Sequence, residues 1–339
     1  MIIEPTDGGS DVPWVEKYRP KTPADLISNN NVLETLDKFI AERNLPHQLF
    51  YGPPGTGKTS TIFAYARKLY GRAYKFMVLE LNASDDRGID IVRNNIKTFA
   101  ETQSAVFNEA MSLKLIILDE ADAMTKDAQA ALRRTMEKFS RTVRFCLICN
   151  HATNIIPALQ SRCTKFKFSQ LPVAEALRKV DLICQSEGLD LPHAVREEVI
   201  RIAQGDMRKV INTLQSIFLA SQYAPAPFLQ RVEELYAHLG MVSPAQVRQV
   251  FEMMLRLDFD AAQREVRELM TRLDANVGSL LEELAGLVAA AQLPARAKVA
   301  LLKCLKEVEY RCSLTLSEGL LRDYLVAGFV EQRPQALNA

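Results

Sequence analysis

The sequence predicts an α/β module built on a parallel sheet, followed by two helical regions. In the first half of the chain, short β-rich runs alternate with helical stretches, the pattern of a parallel sheet covered by helices on both faces. Runs such as 115–118 are continuously apolar, as expected for strands buried on both sides. From residue 171 onward we find no convincing strand, so the rest of the chain is predicted to be helical.

The predicted elements of the α/β module begin with a helix over 32–44. Leu33, Leu36 and Ile40 lie at helical spacing there, after an Asn-rich start that suits a helix cap. Strands and helices then alternate. The predicted strands are 47–51, 76–82, 114–118 and 143–149, and the predicted helices between them are 58–70, 88–101 and 125–138.

The helical regions are predicted to form two groups. Helices at 175–187, 193–203 and 207–220 make a small bundle, and the Pro-containing segment 223–227 is a linker or helix stop. Five amphipathic helices follow, at 246–259, 261–273, 280–292, 295–312 and 317–330. With 339 residues, two or three domains are expected. The predicted boundaries are 12–170, 171–228 and 229–335, after a disordered N-terminus at 1–11.

The composition excludes several classes of protein. No apolar run approaches the ~18 residues that a membrane span needs, so no membrane association is expected. Lys and Arg number 42 and Asp and Glu 41, a net charge of +1, so nucleic acid is not bound by bulk charge.

Cys146 and Cys149 form a C-x-x-C, but they lie in an apolar run that predicts a buried strand, where residues three apart face opposite sides. We therefore expect reduced, buried thiols and no zinc site.

A phosphate-binding loop is the most specific motif. Residues 52–59 read G-P-P-G-T-G-K-T, which fits G-x-x-x-x-G-K-[ST] and lies between a predicted strand and a predicted helix. The glycines let backbone N–H groups converge on a phosphate, Lys58 reaches the β- and γ-phosphates, and the Thr59 hydroxyl binds Mg²⁺. ATP and Mg²⁺ are thus the expected ligands.

Two carboxylates end the third predicted strand. Asp119 is expected to hold Mg²⁺, directly or through water, and Glu120 to orient and deprotonate the attacking water. Asp122, two residues later, could equally well belong to the site or cap the next helix.

Three further segments resemble the small subunits of replication factor C, a clamp loader of the AAA+ family. They are W-V-E-K-Y-R-P at 14–20, N-A-S-D-D-R-G-I at 82–89 and S-R-C at 161–163. The resemblance spans roughly 12–220, continues more weakly to the C-terminus, and is closest to the eukaryotic small subunit numbered 5 in one nomenclature and 3 in another. It implies a RecA-like AAA+ P-loop ATPase module, a small helical lid and an all-α collar that joins the subunits.

The resemblance also implies the roles of individual residues. Asn150 matches the sensor 1 position, Arg208 matches sensor 2, and the segment before the first helix lies against the nucleotide base. Arg162 matches the arginine that completes a neighbouring subunit's ATP site in trans. The implied nucleotide-binding residues are Val15, Arg19, Gly52, Pro53, Pro54, Gly55, Thr56, Gly57, Lys58, Thr59, Ser60, Asn150 and Arg208.

By the same resemblance, Arg87, Arg93 and Lys97 are expected to contact DNA phosphates, while Arg133 and Arg134 could instead face a subunit interface. The implied partners are four other replication factor C subunits in a hetero-pentamer, the sliding clamp PCNA and primer-template DNA, and the implied location is the nucleus. Two alternatives stay open. One is an ATP-binding scaffold that mainly donates Arg162, and the other is an AAA+ remodeller of proteins or branched DNA.

Overall fold

A parallel sheet forms the centre of the first part of the protein. The structure is a computed structural model, and it describes residues 12–26, 29–42, 44–84, 89–102, 113–223, 228–314 and 317–337. The strands pair in the order β2-β3-β4-β1-β5, and each pairing is parallel. They are β1 Gln48–Tyr51, β2 Val78–Asn82, β3 Lys114–Asp119, β4 Val143–Cys149 and β5 Thr164–Lys167. The parallel α/β fold predicted from the alternation is confirmed, whereas the predicted disordered segment 1–11 lies outside the described residues.

The predicted strands agree with the structure to within one residue at each end, with two exceptions. The second strand begins at Val78 because Phe76 belongs to a short helix that precedes it. Strand β5 was not predicted, since its sequence Thr-Lys-Phe-Lys buries only Phe166 and lacks an apolar run. The strand forms through its edge pairing with β1, and the Phe166 ring packs edge-on against Phe50 at 5.5 Å between centroids.

Helices cover both faces of the sheet. The buried side chains on the two faces of the sheet form two separate cores. One core contains Phe50, Ile117 and Cys146, and the other contains Leu49 and Leu147. The helices of this part are α1 Trp14–Lys17, α2 Asn30–Ala41, α3 Lys58–Tyr70, α4 Tyr74–Met77, α5 Ile89–Glu101, α6 Lys126–Lys138 and α7 Pro157–Gln160.

The two cysteines of the C-x-x-C lie in strand β4, where the apolar run predicted a buried strand. Cys146 and Cys149 are both buried and free, and they belong to the two opposite cores of the sheet. Burial raises the pKa of each thiol, that of Cys149 to about 12, so both stay protonated. Within the described ranges, no cluster of His, Cys, Asp and Glu side chains could hold a metal ion.

A three-helix bundle, which we name the lid bundle, follows the sheet in the same compact unit, which ends at residue 226. It comprises α8 Val173–Glu187, α9 His193–Ile202 and α10 Met207–Ser221. Its core is apolar, with Val180, Val195 and Leu214 fully buried. Helix α10 begins at the Asp206 cap, whose carboxylate accepts a hydrogen bond from the Arg208 N–H at 2.9 Å.

The second compact unit, from residue 227 onward, is helical in its described residues. Leu269, Leu284, Leu305 and Leu321 lie in one continuous core, and Phe251 and Phe329 pack edge-on within it at 6.1 Å between centroids. The short helix α11 was not predicted. The helices are α11 Val232–His238, α12 Pro244–Arg256, α13 Phe259–Leu273, α14 Gly278–Ala290, α15 Ala295–Cys312 and α16 Glu318–Leu337. No helix among the described residues is long and apolar enough to cross a membrane.

Candidate functional site

The candidate site lies at the carboxyl edge of the sheet. Strands β1, β3 and β4 are neighbours there, and they end next to the 52–59 loop, Asp119 and Asn150, respectively. Because parallel strands present their carboxyl ends at one edge, groups far apart in sequence meet at this edge. All three segments had been predicted to form one site.

The loop between β1 and α3 needs its glycines for two different reasons. Gly52, Gly55 and Gly57 all have positive φ, at 144°, 69° and 88°. A Cβ atom on Gly52 would stand 2.1 Å from the Phe168 carbonyl oxygen, and one on Gly55 would stand 1.9 Å from the Asp206 carboxylate. Bare backbone at these positions therefore allows the lid bundle and the end of β5 to approach the loop.

Lys58 is folded back onto the loop that carries it. Its ammonium donates hydrogen bonds to the carbonyls of Gly52 and Pro53, both at 2.7 Å, and to Asn150 Oδ1 at 3.1 Å. The residue is only 7% exposed, and its ammonium has three N–H donors to satisfy. These three acceptors satisfy all of them. Burial lowers the pKa of Lys58, and the nearby charge of Asp119 partly opposes that effect. An anion in the loop would replace these neutral acceptors with charged ones.

Thr59 and Asp119 form a second pair beside the lysine. The Thr59 hydroxyl donates to Asp119 Oδ2 at 2.8 Å, and Asp119 Oδ1 accepts from the Glu120 N–H at 2.9 Å. Glu120 adopts the left-handed conformation with φ 52°, and its side chain is exposed. A hydroxyl and a carboxylate at this separation are the oxygen ligands that Mg²⁺ prefers. The donor set therefore fits the predicted ion.

The structure shows the contacts of Asp122, whose role the sequence left undecided. Its carboxylate accepts hydrogen bonds from the N–H groups of Asn150 and His151, at 3.1 and 3.2 Å. Asp122 thus ties the turn after β3 to the end of β4 and holds Asn150 beside Lys58. Spacing alone could not predict this contact, because 28 residues separate the donor from the acceptor.

A cavity of about 170 Å³ opens next to the phosphate loop. It is lined by Val15 and Arg19 from the N-terminal segment and by Arg208 from α10, three of the residues predicted to bind the nucleotide. The Arg19 guanidinium lies over the Phe63 ring at 5.0 Å and pairs with Glu16 at 3.2 Å. Sequence reasoning missed further lining residues, which come from four separate segments and carry no motif. They include Asp25, Leu26, Leu171, Lys179, Met207 and Ile211.

Arg162 lies outside this cavity, just after α7. Its guanidinium donates to the Ala158 carbonyl oxygen at 2.7 Å and forms an ion pair with Glu137 of α6. Glu137 also pairs with Arg133 at 3.1 Å. The hydrogen bond from Arg133, together with the charge of Arg162, lowers the pKa of Glu137 and keeps it ionised. The Arg162 side chain is about one-third exposed, so it is held in place yet accessible from outside the chain.

The predicted DNA-binding residues are only partly described. Arg87 lies outside the described residues, and Arg93 is placed only by its position on α5. Lys97, also on α5, is exposed and lines a cleft of about 210 Å³. Arg134 and Lys138 of α6 line the same cleft, so three cationic side chains share it.

Comparison with known proteins adds two family matches. Residues 48–171 match the ATPase family associated with various cellular activities, and residues 242–327 match the replication factor C C-terminal domain. The chain is 42% identical to replication factor C subunit 3 of Oryza sativa, covering 99% of this chain and 92% of the relative. It is 44% identical to replication factor C subunit 5 of Homo sapiens, covering 94% and 92%.

Structural similarity extends to a more distant protein. A RuvB variant from Thermotoga maritima superposes with a TM-score of 0.52 at 15% identity, covering 79% of this chain and 91% of that one. Identity at this level shows a common fold and no more.

Proposed function

This chain belongs to the replication factor C subunit family, and from that premise we propose how its residues use ATP to load a sliding clamp. The protein is an AAA+ ATPase subunit of a clamp loader. One observation carries the mechanism: Lys58, Asn150 and the Thr59–Asp119 pair converge at the carboxyl edge of the sheet. These are the groups that binding and splitting a nucleoside triphosphate requires.

ATP binding at this site would exchange the contacts of Lys58. The ammonium now bonded to two loop carbonyls would turn to the β- and γ-phosphates, while the loop N–H groups surround them. Val15 and Arg19 would contact the base from the N-terminal segment, and Arg208 would reach the γ-phosphate from the lid bundle. The lid bundle would then respond to whether a γ-phosphate is present.

Hydrolysis would depend on groups that flank the γ-phosphate. Thr59 and Asp119 would hold Mg²⁺, which neutralises charge on the phosphates. Glu120 would accept a proton from the attacking water, and Asn150 would hold that water or the γ-phosphate without competing for the proton. Asp122 supports this arrangement because it fixes the backbone of Asn150.

Arg162 would act on a neighbouring subunit. Its position outside its own cavity, its partial exposure and its support from Glu137 suit a residue that reaches a second ATP site. There it would stabilise transition-state charge in trans, a role worth roughly 10³- to 10⁵-fold in hydrolysis rate. The proposed partners are four further replication factor C subunits, joined through the helical unit that begins near residue 229.

DNA and the clamp complete the proposal. Lys97, with Arg87 and Arg93 on the same segment, would contact phosphates of primer-template DNA, which gives affinity without reading sequence. The clamp would be PCNA, and the site of action would be the nucleus. ATP would tighten the spiral of subunits on an opened clamp, and hydrolysis triggered by DNA would release it.

The two alternative functions make different demands on the site. An ATP-binding scaffold that mainly donates Arg162 would also use Lys58 and the Thr59–Asp119 pair to bind ATP, but it has no need of Glu120 as a base or of Asn150 beside Lys58. A remodeller of proteins or branched DNA finds no support in relatives that match almost the whole chain and are replication factor C subunits.

The test is the ATPase rate of a reconstituted five-subunit complex, with and without primed DNA and clamp. Lys58→Ala and Arg162→Ala are each introduced into this chain, and assembly is checked by gel filtration. We expect both variants to assemble and to lose stimulated hydrolysis. If only Arg162→Ala lowers the rate, the scaffold function replaces the proposal, and if neither does, the site is assigned wrongly.

A further inference from the structure

The N-terminal segment 14–20 is attached to the lid bundle through one carboxylate. Glu187, the last residue of α8, accepts from Lys17 Nζ at 2.6 Å and from the Tyr18 hydroxyl, both on the same oxygen. The Glu187 side chain is only 11% exposed, whereas that of Lys17 is 49% exposed. Because the carboxylate is largely shielded from water, its bonds to these two donors are stronger than those of an ion pair on the open surface.

A second attachment lies at the start of the same segment. Trp14 is 6% exposed, and its ring lies 5.1 Å from that of Phe218 on α10. The backbone N–H of Trp14 donates to Gln215 Oε1 of α10 at 3.0 Å. The segment therefore contacts two of the three helices of the lid bundle, α8 and α10.

The same short segment forms a wall of the nucleotide cavity. Val15 and Arg19 line that cavity, while Trp14 and Lys17 contact the lid bundle. Helix α1 has four residues, too few to be stable without external contacts. The positions of Val15 and Arg19 thus depend on what holds the segment, and Glu187 holds its C-terminal end.

We propose that Glu187 is a positioning residue for nucleotide binding, which fixes the base-contacting wall of the cavity to the lid bundle through Lys17 and Tyr18. The inference rests on the proposed function, in which the cavity beside Val15 and Arg19 receives the base. It adds that the wall moves with the lid bundle, so the fit around the base depends on the position of α8. Burial and the bond to Glu187 raise the pKa of Tyr18, and the hydroxyl therefore stays a donor at physiological pH.

The chain offers a matched control for Glu187. Asp181 also lies on α8 and pairs with Arg196 of α9, an ion pair entirely within the lid bundle. Asp181→Asn weakens the bundle without touching the N-terminal segment. Any effect that Glu187→Ala shows and Asp181→Asn lacks is therefore caused by the segment and not by lid stability.

The test is calorimetric titration of the full chain with Mg·ATP and, separately, with Mg·tripolyphosphate. We expect Glu187→Ala to weaken ATP binding about tenfold, equivalent to about 1.4 kcal/mol of lost pre-organisation, and to leave tripolyphosphate affinity unchanged. Glu187→Gln, which keeps an acceptor for Tyr18, should restore part of the loss. Asp181→Asn should bind both ligands as the wild type does.

Trp14 provides a second readout, because it is the single tryptophan of the chain. Acrylamide should quench its fluorescence more strongly in Glu187→Ala than in the wild type or in Asp181→Asn. Equal ATP affinity in Glu187→Ala and wild type would overturn the inference, as would equal losses in Glu187→Ala and Asp181→Asn, or a parallel loss of tripolyphosphate binding. If the wild type bound no ATP, or if Lys58→Ala bound it normally, the proposed function would be wrong and the inference with it.

Discussion

Gly55 is the position where the phosphate loop and the lid bundle come closest. Its φ of 69° costs a residue with a Cβ roughly 1–2 kcal/mol. An added Cβ would also stand 1.9 Å from the Asp206 carboxylate and 2.8 Å from the Asp206 Cα. The carboxylate can rotate away, but the Cα must retreat by about 0.6 Å to reach ordinary contact at 3.4 Å. Gly55→Ala should therefore push the start of α10 off the loop.

The expected cost combines two effects. Backbone strain contributes roughly 1–2 kcal/mol, and loss of the Asp206 cap on the Arg208 N–H contributes roughly 1 kcal/mol more. Gly71→Ala is the control, because Gly71 also has positive φ, at 50°, but an added Cβ meets nothing within 4 Å. With φ 50° and ψ −120°, Gly71 lies outside the left-handed helical region, and Gly71→Ala should cost about 1–3 kcal/mol from backbone strain alone.

The assay pairs urea unfolding with calorimetric ATP titration of the full chain. Because Arg208 follows Asp206 and lines the cavity, we expect Gly55→Ala to weaken ATP binding more than tenfold, whereas Gly71→Ala should bind ATP normally. Wild-type affinity in Gly55→Ala would refute the argument that contact between the loop and the lid bundle shapes the site. An equal loss of affinity in Gly71→Ala would show that general destabilisation is responsible.

Three further predictions concern catalysis, pH and the helical core. Glu120→Gln should keep ATP affinity and lower single-turnover hydrolysis in the assembled complex by roughly 10²- to 10⁴-fold, and unchanged hydrolysis would rule Glu120 out as the base. Burial, with Arg144 nearby, lowers the pKa of His47 to about 4 from its usual 6.5, and its Nδ1 accepts from the Phe145 N–H at 3.1 Å. Between these two pH values, His47 is protonated in the unfolded chain but neutral in the folded chain. The free energy of unfolding should therefore decrease as pH falls from about 6.5 towards 4. Urea titrations across that range should show a smaller decrease in His47→Gln, and an identical decrease would assign it to other groups. Phe329→Ala should cost about 3–5 kcal/mol in urea unfolding, since the ring is fully buried against Phe251, and a loss below 1 kcal/mol would contradict that packing.

Motifs that act through local backbone were predictable from the sequence. The loop at 52–59 and helix α3 both lie where the motif placed them, and α3 has the predicted bounds, because the glycines and the helix start are local features. The apolar run before Asp119 likewise predicted a buried strand, which the structure extends by one residue to Asp119 itself. Strand β5 could not be predicted, because a charged edge strand has no apolar pattern and forms only through its pairing with β1.

The sequence by itself predicted the chemistry of the site: Lys58, Thr59, Asp119 and Glu120 stand at the spacing typical of residues that bind and split a triphosphate. The tertiary structure decided which groups support them. Asp122 holds Asn150, Glu137 holds Arg162, and Glu187 holds the N-terminal segment. These contacts join residues 25 to 170 positions apart, and no local pattern encodes such pairs, because they depend on how whole strands and helices pack.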